Sequence, residues 1–250
     1  NNFINFKKRC KVTLEDNFNF INNSINNINY NINVEEDATI KHNIFQNFAN
    51  SNKLYLTSNT VCEKNSSYSQ NTYNFSDGFV RNFHHVKLNG EFSKASLKGC
   101  FFLKDKNICS NKTNIKHNAE NCISDQTYKG ILNDHSKASY YSNTFVSENA
   151  QKTEGYQLSK GILLTDNCSF FSKPELRIFA DDVKCSHGST IGPVDESALY
   201  YLRSRGISKN EAMKMIISSF IEEDLQNLDK NIAERVSKNL SDYLTNLVND

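Results

Sequence analysis

The chain has 250 residues, with 29 Lys and Arg against 28 Asp and Glu, a formal net charge of +1 and 38% hydrophobic residues. That length accommodates one larger domain or two smaller ones around a sizeable core. The near-neutral balance supplies no bulk field for nucleic acid or an anionic membrane as the main partner and leaves room only for local patches. The longest apolar runs, at residues 100–103 and 161–164, fall far below the roughly 20 residues that span a bilayer, so a soluble protein with no membrane partner is expected. The chain opens on Asn1 without a basic and apolar leader, and it is expected to be a piece of a longer protein whose targeting leader lies upstream.

Residues 1–78 are rich in Asn and Ser, with apolar residues separated by single Asn residues, as in Ile28-Asn-Tyr-Asn-Ile-Asn33. The alternation reads as strand, and the bias reads equally as an insert without fixed structure, so this segment is expected to be partly β or disordered. Residues 34–48 and 53–62 carry more apolar side chains and are expected to be ordered.

From 79 to 192 the chain breaks into short apolar pieces separated by Gly, Asn, Asp and Ser, without helical periodicity. An all-β unit follows, as a sandwich, a barrel or a β-solenoid; no strict repeat selects among them. Its last strand carries Lys184-Cys-Ser-His-Gly188. Residues two apart on a strand share a face, so Cys185 and His187 present a sulfur and a nitrogen together, a two-point ligand set for a soft metal. Two ligands do not close a tetrahedral site, so further ligands must come from elsewhere in the chain or from another subunit. His84, His85, His117 and His135 are the internal candidates, each with an ordinary hydrogen-bonded alternative. Asp181 and Asp182 point to opposite faces and read as one solvated and one locally bonded carboxylate.

The seven cysteines form no CxxC pair and no regular framework. Reduced, mostly structural thiols are expected, with Cys185 set apart by its histidine neighbour. Phosphate-binding glycine loops are absent, so no nucleotide bound by this chain is expected, and the absence of Gly-x-Ser-x-Gly and His-Glu-x-x-His weakens the case for a hydrolase or zinc protease without excluding one.

After Gly192 the period becomes helical, and residues 193–250 are expected to form a helical subdomain. Asp195 caps a first helix with Ala198, Leu199, Tyr201 and Leu202 inside it, and Gly206 ends it. Ser208-Lys-Asn-Glu211 forms a capping box for a second helix, with Ala212, Met215, Ile216 and Phe220 on one face. A third, over 229–247, aligns Ile232, Val236, Leu240, Tyr243, Leu244 and Leu247.

The run from Asp181 to Gly192, continuing into Ala198-Leu-Tyr-Tyr-Leu-Arg-Ser-Arg-Gly-Ile207, resembles the signature of the SufB/SufD family of iron–sulfur cluster assembly scaffolds. The Lys-Cys-Ser-His-Gly form resembles SufD more than SufB. Further matches are His117, the Ser124-x-Gln-x-Tyr-Lys-Gly130 run, and Ala150-Gln-Lys-Thr153 followed by Gln157, over roughly residues 115–225. The resemblance implies a right-handed parallel β-helix followed by a C-terminal helical subdomain, and a non-enzymatic scaffold. It implies pairing with a SufB-like scaffold subunit and docking of a SufC-type ABC ATPase on the helices. His187, with Cys185 in a supporting role, would contribute to a transient iron–sulfur cluster shared with the partner. Joined to the Asn bias, it suggests a plastid (apicoplast) setting, with the cytoplasm as the alternative. The chain departs from the family in having Tyr141-Ser-Asn-Thr-Phe-Val146 where a glycine is usual, from which a looser rung is expected. Residues 1–78 show no family motif. Two other readings remain: a β-solenoid enzyme acting on polysaccharide, which the absence of Trp disfavours, and an inert interaction module.

Overall fold

The computed structural model describes residues 1–20, 23–49, 52–225 and 228–246. Fourteen strands alternate between two seven-stranded parallel sheets. The first sheet holds β1 (Asn2–Phe6), β3 (Ile25–Val34), β5 (Asn52–Cys62), β7 (Gly78–Leu88), β9 (Ile108–His117), β11 (Lys137–Val146) and β13 (Ser169–Ile178). The second holds β2 (Lys11–Phe18), β4 (Thr39–Gln46), β6 (Ser67–Asn74), β8 (Lys94–Leu103), β10 (Ile123–Leu132), β12 (Thr153–Leu163) and β14 (Val183–Pro193). Each strand pairs with the one two places along, as in Asn2 with Tyr30 and Lys11 with Thr39. The chain therefore winds as a β-solenoid of about six turns, which selects one of the three all-β architectures compatible with the sequence.

What repeats is the backbone of one corner. Arg9, Asp37, Asn65, Phe92, Asn121 and Lys152 all adopt positive φ, between 55° and 61°. Each donates its N–H to a carbonyl one rung on, among them Arg9 to Glu36 at 3.0 Å, Asn65 to Glu91 at 2.9 Å and Asn121 to Gln151 at 2.9 Å. The left-handed conformation turns the chain sharply, and the bond it frees locks each corner to the next.

The Asn-rich stretch is built from the same rungs. It is strand over Asn2–Phe6, Lys11–Phe18 and Ile25–Val34, and β5 pairs with β7 along its whole length. Its amides bond between neighbouring rungs, Asn33 Nδ2 to Asn5 Oδ1 at 3.0 Å and Asn71 Nδ2 to Asn43 Oδ1 at 2.9 Å. In-register stacking satisfies amides that an isolated strand would leave to water. The rung expected to be loose at Tyr141–Val146 is regular too. Those residues lie inside β11, paired with β9 and β13 throughout, so no turn glycine is required there.

Inward side chains fill the solenoid with Val34, Leu54, Leu88, Leu97, Leu103, Ile115 and Leu132. Tyr128 stacks on Tyr140 across the interior at 4.3 Å between ring centroids. A methyl group at Gly130 would stand 2.2 Å from the Phe101 ring, so that position must lack one. The second sheet is also covered on its outer face, which explains the unbroken apolar run at 100–103. There Phe45, Tyr73, Cys100, Phe102 and Ile131 meet α2 (Lys209–Leu225) and α3 (Lys230–Asn246). Tyr243 packs against Phe102 and donates its hydroxyl to the Leu103 carbonyl at 3.0 Å.

The helix starts agree with the sequence reading. Asp195 accepts from the Ser197 and Ala198 amides at the head of α1 (Glu196–Ser204), Gly206 follows at φ 84°, and the Ser208 hydroxyl accepts from the Glu211 N–H while donating to the Glu211 carboxylate. Along α3, Ile232, Val236, Leu240, Tyr243 and Leu244 are buried as expected, while Leu247 lies outside the described residues. On α2 the expected face is displaced. Ile217 and Ile221 are buried beside Ala212, and Met215 is exposed, because the helix turns its Met213, Ile217 and Ile221 stripe onto the sheet. Tyr201 is exposed as well, lying under the Arg205 guanidinium, with only Leu199 of α1 fully buried.

Three imidazoles are enclosed inside the solenoid: His42, which is bonded to Asp16 and Tyr68, and two without a carboxylate partner, His84 and His117. His84 has no hydrogen-bond partner on either ring nitrogen among the described residues, and burial, helped slightly by His42, holds it down to about 3. His117 bonds Ser124 Oγ at 2.8 Å, and burial brings it to about 4. Both folded values lie below the ordinary 6.5. Between pH 6.5 and these values the unfolded chain therefore binds protons that the folded chain refuses, and stability falls with falling pH. At pH 5 each costs on the order of 2 kcal/mol. The urea midpoint should drop from pH 7 to pH 5, and His117→Gln should remove roughly half of the drop; an unchanged midpoint would contradict the enclosure.

Candidate functional site

The strand bearing Cys185 and His187 is β14, the terminal strand of the second sheet. It pairs with β12 on one side, Gly155 opposite Cys185 and Gln157 opposite His187. Its other edge has no strand partner among the described residues, so a row of backbone donors and acceptors faces outward there. Gly155 and Gln157 are inward residues of β12. The parallel register therefore turns Cys185 and His187 toward the axis of the solenoid, on one face as the sequence parity predicts. No further rung closes over them among the described residues, and His187 is exposed while Cys185 is half-buried.

The floor below the pair is ordered. Gln157 donates to Thr144 Oγ1 at 2.8 Å and to the Glu175 carbonyl at 3.1 Å, and accepts from Ser142 Oγ at 3.1 Å. This fixes the rung on which His187 rests. A methyl group at Gly155 would stand 3.2 Å from Cys185 Sγ, 3.3 Å from Thr144 Cγ2 and 3.6 Å from Ser124 Oγ. The glycine thus opens the space in which the thiol lies. Cys185 also packs against the small apolar cluster of Val146, Ala150 and Ala180. Burial pushes its thiol up, and a backbone hydrogen bond from Gly155 opposes that shift.

The other histidines do not join the pair. His117 is sealed two rungs below, bonded to Ser124, and His84 is enclosed deeper in the solenoid. His85 lies on the outer face of the first sheet, bonded to Asn114 at 2.8 Å, and His135 lines a depression at mid-solenoid. No group of three or more His, Cys, Asp or Glu able to hold a metal ion occurs among the described residues. Asp181 and Asp182 are both exposed, and the local bonds at Asp182 are made by its backbone, to Lys152 N and Gln151 Oε1. All seven cysteines are free thiols. Sequence reasoning missed the apolar rim of this open end, where Phe171 and Phe179 are 65% and 61% exposed. Their exposure becomes legible only once β13 is known to be terminal.

Fold and site together define a class: a parallel β-solenoid flanked by helices, with a thiol and imidazole pair on an uncovered terminal rung. The chain belongs to the SufBD core family. The family model described as SUF system FeS cluster assembly, SufBD core domain, matches residues 1–220, including the N-terminal stretch without a recognisable motif. The chain is 37% identical over 138 residues to iron–sulfur cluster assembly protein SufD of Escherichia coli, covering 55% of this chain and 33% of that one. It is 29% identical over 209 residues to SufD of Plasmodium falciparum, covering 81% of this chain and 14% of that one. Over 84 residues, 34% of this chain, it is 42% identical to protein ABCI7, chloroplastic, of Arabidopsis thaliana, covering 18% of that protein. The chain spans less than half the length of the curated relatives it matches.

The raised thiol has a measurable consequence. In a Cys10→Ser background, which removes the other partly exposed thiol, alkylation of Cys185 by iodoacetamide should rise with pH to a midpoint above 9.0. Peptide-level mass spectrometry reads the site, and a midpoint at or below that value would show a thiol not desolvated by its neighbours.

Proposed function

We propose that this SufD-like chain is a scaffold subunit for iron–sulfur cluster assembly, offering His187 and, in support, Cys185 as half of a ligand set completed by a SufB-like chain. The observation that carries this is the position of the pair on a terminal strand with an unpartnered edge. Cluster iron takes thiolate and imidazole donors, and two donors at an open end are useful only where a second surface supplies the rest.

His187 is the principal donor in this reading. It is exposed and free to turn its ring toward an incoming iron. Cys185 must give up a proton to bind metal, and burial works against that loss, so iron binding and deprotonation would occur together. The cluster is cargo, built and passed on. The chain binds no nucleotide in this account and has no enzymatic activity of its own. A SufC-type ABC ATPase would dock on the C-terminal helices, where Tyr200 and Met215 are 77% and 50% exposed. The malaria-parasite and chloroplast relatives support a plastid, here an apicoplast, as the setting.

The test is reconstitution with SufB-like and SufC-like partners, measuring bound iron and acid-labile sulfide anaerobically. His187→Ala should keep the complex intact and stability within about 0.5 kcal/mol, as for an exposed side chain, while cluster content falls. Equal loading in parent and variant would overturn the assignment.

A further inference from the structure

The solenoid gathers charge that the linear sequence disperses. On the outer face of the first sheet, Arg81 and Lys87 extend from β7, Lys112 and Lys116 from β9, and Lys173 and Arg177 from β13. With Lys53 of β5 and Lys137 of β11, this face carries eight bases against one acid, Glu175, in a chain of net charge +1. Glu175 is already paired with Arg177 at 2.6 Å and accepts a hydrogen bond from the Tyr141 hydroxyl. The other seven bases have no ion-pair partner among the described residues. On the opposite sheet and its helices the charge is mixed: Lys98 pairs with Asp125, Lys184 with Glu154 and Arg235 with Glu15, while Lys94, Lys160 and Lys238 stand without an ion-pair partner among the described residues.

Aromatic rings stand between these cations. Lys112 Nζ lies 5.1 Å from the centroids of both Phe83 and Tyr141, Lys173 Nζ 5.6 Å from Tyr141, and Lys116 Nζ 5.1 Å from Phe145. The rings hold the ammonium groups in place and have faces occupied by them. A row of amides and an imidazole crosses the middle, His85 to Asn114 to Asn143, each step 2.8 Å. Helices cover the outer face of the second sheet, whereas the outward residues of β7, β9, β11 and β13 are exposed or half-buried.

We propose that the outer face of the first sheet is a docking surface for an acidic protein partner, separate from the terminal rung that holds Cys185 and His187. Unpaired lysines backed by aromatic rings suit carboxylates, and a field of one sign steers an oppositely charged surface into register. Single-stranded nucleic acid would require free ring faces for base stacking, and here lysines cap Phe83, Tyr141 and Phe145.

The test is fluorescence anisotropy on the full chain with labelled poly-glutamate and, separately, labelled oligo-dT at low ionic strength. Poly-glutamate should bind, weaken with added salt, and lose about tenfold or more in affinity with Lys112→Glu/Lys116→Glu. The control Lys94→Glu/Lys238→Glu, off this face, should change affinity by less than about twofold. Thermal melts establish folding, and Arg81→Glu/Lys87→Glu replaces the first pair should that variant not fold. Absence of poly-glutamate binding, equal loss in variant and control, or tighter binding of oligo-dT would each overturn the proposal.

Discussion

The structure depends on one constraint: a parallel solenoid satisfies its backbone only by adding rungs. Each interior strand shares both edges with neighbours, and each corner donates an N–H to the next. The ladder cannot close on itself as a barrel does, so its last rung must present unpaired groups. That unavoidable end is β14, the strand carrying the thiol and imidazole. A donor pair placed on an inward position of an interior rung would be sealed, as His117 is, with its imidazole driven to about 4 and its access removed. Position along the solenoid, more than side-chain chemistry, separates His187 from the other histidines.

The terminal strand and the helices were legible in the sequence because their determinants are local. Parity along one strand puts Cys185 and His187 on one face, and Asp195 and the Ser208/Glu211 pair each act within three residues of themselves. Of the rungs in residues 1–78, those over 34–48 and 53–62 were legible as ordered segments, and the Asn-rich ones were not. Their stability comes from amides that bond across a rung, such as Asn33 to Asn5, and within one strand an Asn ladder is indistinguishable from compositional bias. The corner repeat was hidden for a related reason. The left-handed position is held by Arg, Asp, Asn, Phe, Asn and Lys in turn, so the backbone repeats without a residue to mark it. On α2, several apolar residues compete for the packing face, and contact with the sheet decides for Ile217 and Ile221 over Met215.

The same rung spacing divides the molecule into surfaces of different character. Helices pack on the outside of the second sheet, and ion pairs tie some of its remaining charge. The outside of the first sheet keeps all its cations but Arg177 without an ion-pair partner among the described residues, one or two on each strand from β5 to β13, stacked where sequence spacing had scattered them. The open end adds apolar exposure at Phe171 and Phe179. An assembly scaffold needs several such surfaces on a rigid body, and a solenoid supplies them with one repeated corner.

The central claim is that the free edge of β14 is where this chain meets its partner. Hydrogen–deuterium exchange with and without a SufB-like chain measures it most directly, since pairing that edge would slow amides that now face outward. The account predicts added protection over Val183–Pro193, with the enclosed strands β7 to β10 unchanged. Exchange in β14 that stays fast while protection arises elsewhere would contradict it.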